Sequence, residues 1–291
     1  MKNSGSSPGR ASGCASQVSF LYLHREILPH DASLGRNPVE QITTAPDRQI
    51  LLLGDAHLPL DGRDGAEEDI TLFRKLLRDE RPRTSVLLLM GDVFDFWFEW
   101  KQVVPKRAMP LLYDLHDMIR EGIEVHYFAG NHDFLIRGFL GDVVGMRLHQ
   151  EEWDAEIDGR RTRLHHGDGM AQSDHGYRAM KRVFRHPVSQ ALFQTLVHPD
   201  LALNLGKWAS DAGRRNTYKK YDGHLRPDHE YLAMARRILQ GGYDMVIFGH
   251  THQQKLLRCD DGWYHNPGPF LTFRQYSVIA GGLPEGRTQQ T

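Results

Sequence analysis

The chain has 291 residues, with 36 Lys plus Arg against 37 Asp plus Glu, and its net charge of −1 excludes a whole-chain electrostatic nucleic-acid binder. A hydrophobic share of 40% and a charged share of 25% fit one large globular domain or two modest ones and exclude wholesale disorder. The two cysteines, Cys14 and Cys259, cannot build a disulfide framework, which points to a reducing compartment, and no apolar run approaches the ~20 residues of a membrane-spanning helix.

Residues 1–16 hold eight Ser or Gly, and no apolar stretch resembling a secretory signal precedes Gly13-Cys14. Val18–Leu23 is a short apolar patch with no evident use. Residues 1–47 are expected to form a disordered extension, with the ordered domain spanning 48–282 and a tail at 283–291. Ile50–Gly54 reads as a buried strand running into a loop. Glu67–Asp79 carries Ile70, Phe73, Leu76 and Leu77 at helical spacing. Val86–Met90 is the next strand, Lys106–Arg120 the next helix, and Glu124–Ala129 the third strand. Phe134–Val144 is predicted as a helix. Trp153–Ile157 and Thr162–His165 flank Asp158-Gly159, a hairpin signal. Arg226–Leu239 reads as a helix and Asp244–Phe248 as a strand. Lys255–Arg258 and Trp263–His265 flank Asp261-Gly262, and Thr272–Ile279 would be the final strand. The alternation predicts an α/β sandwich with mixed sheets.

Residues 169–225 break the pattern. They show no strand periodicity, and Pro187 and Pro199 divide them into short helices. A basic, apolar helical insertion in an α/β body is a candidate cap.

Five short motifs recur at predicted strand ends. They are Gly54-Asp55-Ala56-His57, Gly91-Asp92-Val93-Phe94-Asp95, Gly130-Asn131-His132-Asp133, His166-Gly167-Asp168 and Gly249-His250-Thr251-His252. Loops at the carboxyl ends of strands are where α/β folds gather ligands. Side chains two apart in an extended segment point the same way, so each Asp-x-His or His-x-His pair is expected to send two donors into one pocket. One such motif alone is ordinary loop chemistry; five in this order point to a shared site. Mixed carboxylate, imidazole and amide donors suit Mn²⁺, Fe or Zn²⁺ better than Mg²⁺ alone. Seven candidates exceed the need of one ion and suit two, which a shared carboxylate can bridge at ~3.5–4 Å.

These blocks resemble those of the calcineurin-like metallophosphoesterases, from about Ile50 to Tyr276. The resemblance implies an α/β fold, a four-layer αββα sandwich with a helical cap insertion, and two divalent metal ions, Mn²⁺ first with Fe or Zn²⁺ as alternatives. It assigns Asp55, His57, Asp92 and His252 to one ion. It assigns Asp92, Asn131, His166 and His250 to the other, with Asp92 as the bridge. His132 would face the substrate phosphate as electrostatic stabiliser or proton donor, with Asp95 orienting it. Asp168 would support the site or anchor the cap. A binding scaffold that had lost its chemistry would be expected to lack some of these residues, and none is missing.

A narrower resemblance follows from Phe94-Asp95-Phe96-Trp97, the His-Gly-Asp block with the helical segment after it, Asn266-Pro267-Gly268 and Tyr276. Together they are similar to bacterial UDP-2,3-diacylglucosamine hydrolases of lipid A biosynthesis. That family cleaves the pyrophosphate of an acylated UDP-sugar, giving UMP and 2,3-diacylglucosamine 1-phosphate. Many members carry arginine where this chain has His132. The alternative is another calcineurin-like phosphodiesterase or pyrophosphatase acting on a different phosphoester.

Such a substrate needs positive charge beside an apolar groove. The insertion supplies Lys181, Arg182, Arg185, Arg214, Arg215, Lys219 and Lys220, with Phe184, Leu192, Phe193, Leu196 and Trp208. The resemblance places Arg214, Asn216, Lys219 and Lys220 beside the substrate headgroup. Basic residues near an anionic bilayer contribute ~1 kcal/mol each, so a cytoplasmic enzyme held peripherally on the inner membrane is expected.

Overall fold

The computed structural model describes residues 39–136, 138–171, 175–206, 208 and 228–290. Two six-stranded sheets form the body. The first runs β14 (Pro284–Thr288), β13 (Gln275–Ile279), β2 (Gln49–Leu53), β3 (Thr84–Leu89), β5 (Glu124–Phe128) and β7 (Arg147–His149). The strands from β2 to β7 are parallel, and β13 and β14 add antiparallel at one edge. The second runs β1 (Glu40–Ile42), β8 (Trp153–Ile157), β9 (Arg160–His165), β10 (Met245–Phe248), β12 (Gly262–Asn266) and β11 (Lys255–Cys259). Here β9, β10 and β12 are parallel, while β8–β9 and β11–β12 pair antiparallel across the two Asp-Gly turns.

Strand alternation divides the side chains between layers. Ile50, Leu52, Val86 and Leu88 pack between the sheets against Leu164, Met245 and Ile247. Their neighbours Leu51, Leu53, Leu87 and Leu89 turn outward. They meet Phe73, Leu76 and Leu77 of α1 (Ala66–Glu80) and Leu111, Leu112 and Leu115 of α2 (Met109–Arg120). On the other outer face, Val246 and Phe248 of β10 pack with Tyr231, Ala235 and Leu239 of a helix at His229–Gln240. The expected α–β–β–α layering is therefore present.

Several boundaries differ from expectation. The domain begins before Arg48: β1 pairs parallel with β8, and Thr44 bonds the Asp158 carboxylate through its amide at 2.7 Å and its hydroxyl at 2.6 Å. Residues 1–38 of the expected extension lie outside the described residues. The expected tail is largely the edge strand β14. Most of Phe134–Val144 is not an α-helix. Its start belongs to β6 (Asp133–Leu135), paired with β4 (Trp97–Phe98), and Phe139–Val144 is a π-helical turn. The buried Glu99 carboxylate accepts the Phe139 amide at 3.1 Å, which fixes the entry to that turn. Phe270–Phe273 forms one helical turn, ended by Arg274 at φ 54°, so the last predicted strand starts at Gln275.

The described part of the insertion after residue 174 is largely helical, in keeping with the reading of its prolines. It contains α3 (His175–Phe184), α4 (Pro187–Leu196) and helical residues 199–206. Neither α3 nor α4 has a fully buried residue. Met180, Val183, Phe184, Val188, Leu192 and Leu196 are exposed. Phe193 is one tether of the cap: its ring lies 4.7 Å from that of Phe98, in a cluster with Phe96, Leu135 and Ala202.

Candidate metal centre

The motif loops leave the carboxyl ends of β2, β3, β5, β9 and β10, which are adjacent parallel strands within each sheet. The body thus delivers all seven candidate ligands to one place. Asp55 Oδ1 lies 3.4 Å from His252 Nε2, and His252 Nε2 lies 3.2 Å from His57 Nε2. Asp92 Oδ2 lies 3.9 Å from His57 Nε2 and 3.4 Å from His166 Nε2. His166 Nε2 lies 3.2 Å from Asn131 Oδ1. His250 offers a donor atom within 4.8 Å of those of Asp92 and His166.

The ligand pairs do not converge by strand alternation. Asp55, His57, Asp92, His250 and His252 all have positive φ, between 42° and 65°. This left-handed backbone costs a non-glycine residue on the order of 1–2 kcal/mol, and such strain concentrates at functional sites. The turns are held in place. The His250 amide donates to Asp55 Oδ2 at 3.0 Å, and the His132 amide donates to Asp92 Oδ1 at 2.8 Å. Two glycines make room: a Cβ at Gly91 would collide with the His166 ring, and one at Gly130 with the Asp92 carboxylate.

Charge is organised to match. Burial alone would raise the pKa of Asp55 and Asp92, but His252 and His166 reverse this and hold both carboxylates below their usual range. Burial lowers His57 and His250 to about 3, reinforced by His132 and His166 respectively. Burial also opposes charge on His166, but the Asp92 carboxylate outweighs it and lifts the ring to about 10. His252 is raised in the same way by Asp55.

The donor set fits divalent cations. Two imidazole nitrogens facing each other at 3.2 Å, as in His57 and His252, need a shared proton or a shared cation. Metal ligation takes neutral imidazole, so cations at these atoms would displace the protons that the carboxylates attract.

His132 sits beside the cluster, with Nε2 4.0 Å from Asp92 Oδ2. Its expected partner acts differently from the sequence reading. His132 Nδ1 is 2.7 Å from the main-chain carbonyl of Asp95 and 3.9 Å from its carboxylate. A carbonyl only accepts, so Nδ1 carries the proton and Nε2 is left facing the ligand cluster beside Asp92. The Asp95 carboxylate is paired with Arg63, which also bonds Asp61 at 3.2 Å.

Sequence reasoning missed Arg63, which lies in a loop without a motif. It quoted Asp133 but gave it no role. Buried Asp133 accepts the Asp92 amide at 3.1 Å, the Gly130 amide at 2.9 Å and the Tyr127 hydroxyl at 2.8 Å, so it ties together two ligand loops. Burial and the Asp92 carboxylate raise its pKa to about 6. Asp168 accepts Tyr177 at 2.6 Å and pairs with Lys181 at 2.7 Å, both on α3. Two of the insertion's basic residues are thereby engaged within the fold, Lys181 with Asp168 and Arg185 with the Gln150 carbonyl at 3.2 Å. Arg214, Arg215, Asn216, Lys219 and Lys220 lie outside the described residues.

A family model described as calcineurin-like phosphoesterase matches residues 48–254. The chain belongs to that family. Its chemistry is metal-dependent hydrolysis at phosphorus. Among relatives, a UDP-2,3-diacylglucosamine hydrolase of Porphyromonas gingivalis is 31% identical, over 70% of this chain and 83% of the relative. The enzyme of the same name from Pectobacterium carotovorum is 28% identical over 73% of this chain and 85% of its own. That of Shewanella piezotolerans is 26% identical over 82% of this chain and all of its own length. Among the described residues no helix is long and apolar enough to cross a membrane.

Proposed function

We propose that this calcineurin-like phosphoesterase hydrolyses the pyrophosphate of UDP-2,3-diacylglucosamine, releasing UMP and 2,3-diacylglucosamine 1-phosphate. The observation that carries the reading is the convergence of seven donors from five loops beside a cap that exposes apolar side chains. The relatives named above carry the same activity in their names.

In this reading Asp55, His57, Asp92 and His252 hold one cation, and Asp92, Asn131, His166 and His250 hold the other. Manganese suits the mixed nitrogen and oxygen donors, with Fe or Zn²⁺ as alternatives. Two such cations supply Lewis acidity and hydroxide at neutral pH. Asp92 joins the two halves of the donor set. His132 presents Nε2 to the phosphate oxygens while the Asp95 carbonyl fixes its ring. It stabilises developing negative charge only when protonated, and in that form it can also give a proton to the leaving group. The exposed residues Met180, Val183, Phe184, Leu192 and Leu196 offer the acyl chains a surface, at ~0.8 kcal/mol for each methylene buried. The same face suits peripheral attachment to the cytoplasmic side of the inner membrane.

The test is product analysis with purified protein and Mn²⁺. UMP should be released from the acylated UDP-sugar, not from UDP-glucose, and chelation should stop it. Cleavage of both sugars alike would assign the protein to a less selective phosphodiesterase or pyrophosphatase.

A further inference from the structure

Asn266, the last residue of β12, belongs to an Asn-Pro-Gly motif that the chemistry above leaves without a role. It is completely buried. The parallel register pairs His265 with Ile247, so Asn266 stands at the end of β10, where the turn carrying His250 and His252 begins. Its side chain bonds that turn twice. The amide nitrogen donates to the Gly249 carbonyl at 2.8 Å and to the Thr251 hydroxyl at 3.1 Å. The amide oxygen accepts the Gly268 N–H at 2.8 Å. Both hydrogens and the oxygen are used, which settles the way the amide points.

The bonded groups flank His250. The Gly249 carbonyl and the His250 N–H belong to one planar peptide unit. Asn266 holds its carbonyl end, and Asp55 Oδ2 accepts from its N–H end at 3.0 Å. The unit cannot rotate without losing one of these bonds, and its orientation keeps His250 at φ 65°. It has little room to shift: a Cβ at Gly249 would lie 3.1 Å from the Met90 carbonyl and 3.3 Å from both Asp55 Oδ2 and His166 Nδ1. Thr251 separates the two histidines. Its amide also bonds the Gly249 carbonyl, at 2.7 Å, and its hydroxyl is held by Asn266. His252, at φ 54°, therefore follows a residue fixed at both its main chain and its side chain.

The segment after Asn266 reaches the other sheet. The Phe270 amide donates to the Gly54 carbonyl at 3.3 Å, next to Asp55. Residues 266–270 thus bridge the ligand loop after β2 and the one after β10. Left-handed residues persist only where their surroundings hold them, and this segment supplies that hold.

We propose that Asn266 is a positioning residue for both cations: by fixing the Gly249–His250 peptide and Thr251, it sets the placement of the His250 and His252 imidazoles. This rests on the assignment above of those two histidines to different cations. A residue that only supported the strand would change stability without changing metal affinity. A positioning residue changes affinity at both sites together.

The test is calorimetric titration of the metal-free full-length protein with Mn²⁺, with urea midpoints of the same samples. Asn266→Leu keeps the side-chain size and removes the hydrogen bonds, Thr251→Val removes only the hydroxyl, and Thr251→Ser keeps it. Asn266→Leu should weaken Mn²⁺ at both sites by about 10–100-fold, the range for groups that orient metal ligands. Thr251→Val should weaken both by a smaller factor, and Thr251→Ser should match the parent. A lowered urea midpoint with unchanged Mn²⁺ affinity in Asn266→Leu overturns the proposal, as does weakening at one site alone. If Asn266→Leu does not fold, the Thr251 variants decide, and equal affinity in the two overturns it. A parent that binds no Mn²⁺ removes the proposal together with the metal assignment. A parent that binds two ions, matched by every variant, removes the role of Asn266 and leaves that assignment standing.

Discussion

Asp168, two residues past His166, forms a buried 2.7 Å ion pair with Lys181 of the cap helix and accepts the Tyr177 hydroxyl at 2.6 Å. The metal-centre loop and the cap are thereby joined through side chains. His166 and Lys181 hold the Asp168 carboxyl below its usual pKa range against the effect of burial, so it remains charged.

Asp168→Ala should therefore loosen the cap. Breaking a buried pair costs up to ~3–5 kcal/mol, and partial exposure of Lys181 lowers that figure. Limited proteolysis within 175–206 should accelerate, and KM for the acylated substrate should rise more than kcat falls. Unchanged proteolysis and KM would show that Phe193 and its aromatic neighbours hold the cap unaided.

Asp92→Ala removes the carboxylate common to both halves of the donor set. Metal-dependent turnover should drop by at least ~10³-fold, and elemental analysis should show fewer than two bound ions per chain. Full activity with two ions retained would eliminate Asp92 as the bridge.

His132→Gln should separate catalysis from metal binding. Loss of a positioned charge or proton donor typically lowers kcat by ~10²–10⁴-fold. Metal content should not change, because the seven other donors remain. A parallel loss of metal would make His132 a ligand, an outcome its 4.0 Å approach to Asp92 leaves sterically open.

Arg63→Met tests the partner that the sequence did not reveal. Without the guanidinium, the Asp95 carboxylate loses its counterion 4.0 Å from His57 Nδ1, and the carbonyl that fixes His132 is less firmly placed. We expect kcat to fall by about tenfold, with partial recovery in Arg63→Lys. An effect on KM alone would mean that Arg63 binds substrate rather than positioning His132.

The ligands were legible because each follows a strand that can be read from sequence, by its apolar residues or, for β9 before His166, by the Asp158-Gly159 turn. The reason for their convergence was not. Spacing of two suggested an extended segment, whereas Asp55, His57, His250 and His252 adopt left-handed turns stabilised by contacts between distant loops. The same limitation hid Arg63 and the strand Glu40–Ile42, whose partners are 32 residues away for Arg63 and over 100 for the strand. The cap prolines were legible as local breaks, since Pro187 opens α4 where its missing N–H is not needed. Exposure of the cap's apolar residues depended on which surface the cap faces, and periodicity does not carry that information.

Stability should decline in mild acid, for reasons remote from the metal centre. His126 on β5 is buried, stacks on His149 of β7 with ring centres 5.2 Å apart, and contacts it through a 2.9 Å nitrogen–nitrogen hydrogen bond. Burial, then His149 and Arg147, lowers the His126 pKa to about 3. Burial lowers His149 to about 4 against the opposing pull of Glu40. An unfolded chain would protonate both near the ordinary value of 6.5, so between about pH 6.5 and 4 it binds more protons than the folded one. Stability is then complete above pH 6.5 and decreases as pH falls through that window, by a few kcal/mol for His126. Urea midpoints measured from pH 7.5 to 4.5 should show this slope, and His126→Phe, which keeps an aromatic ring against Trp153, should flatten it. If the variant retains the parent's slope, the acid sensitivity has another source and the histidine stack is not responsible.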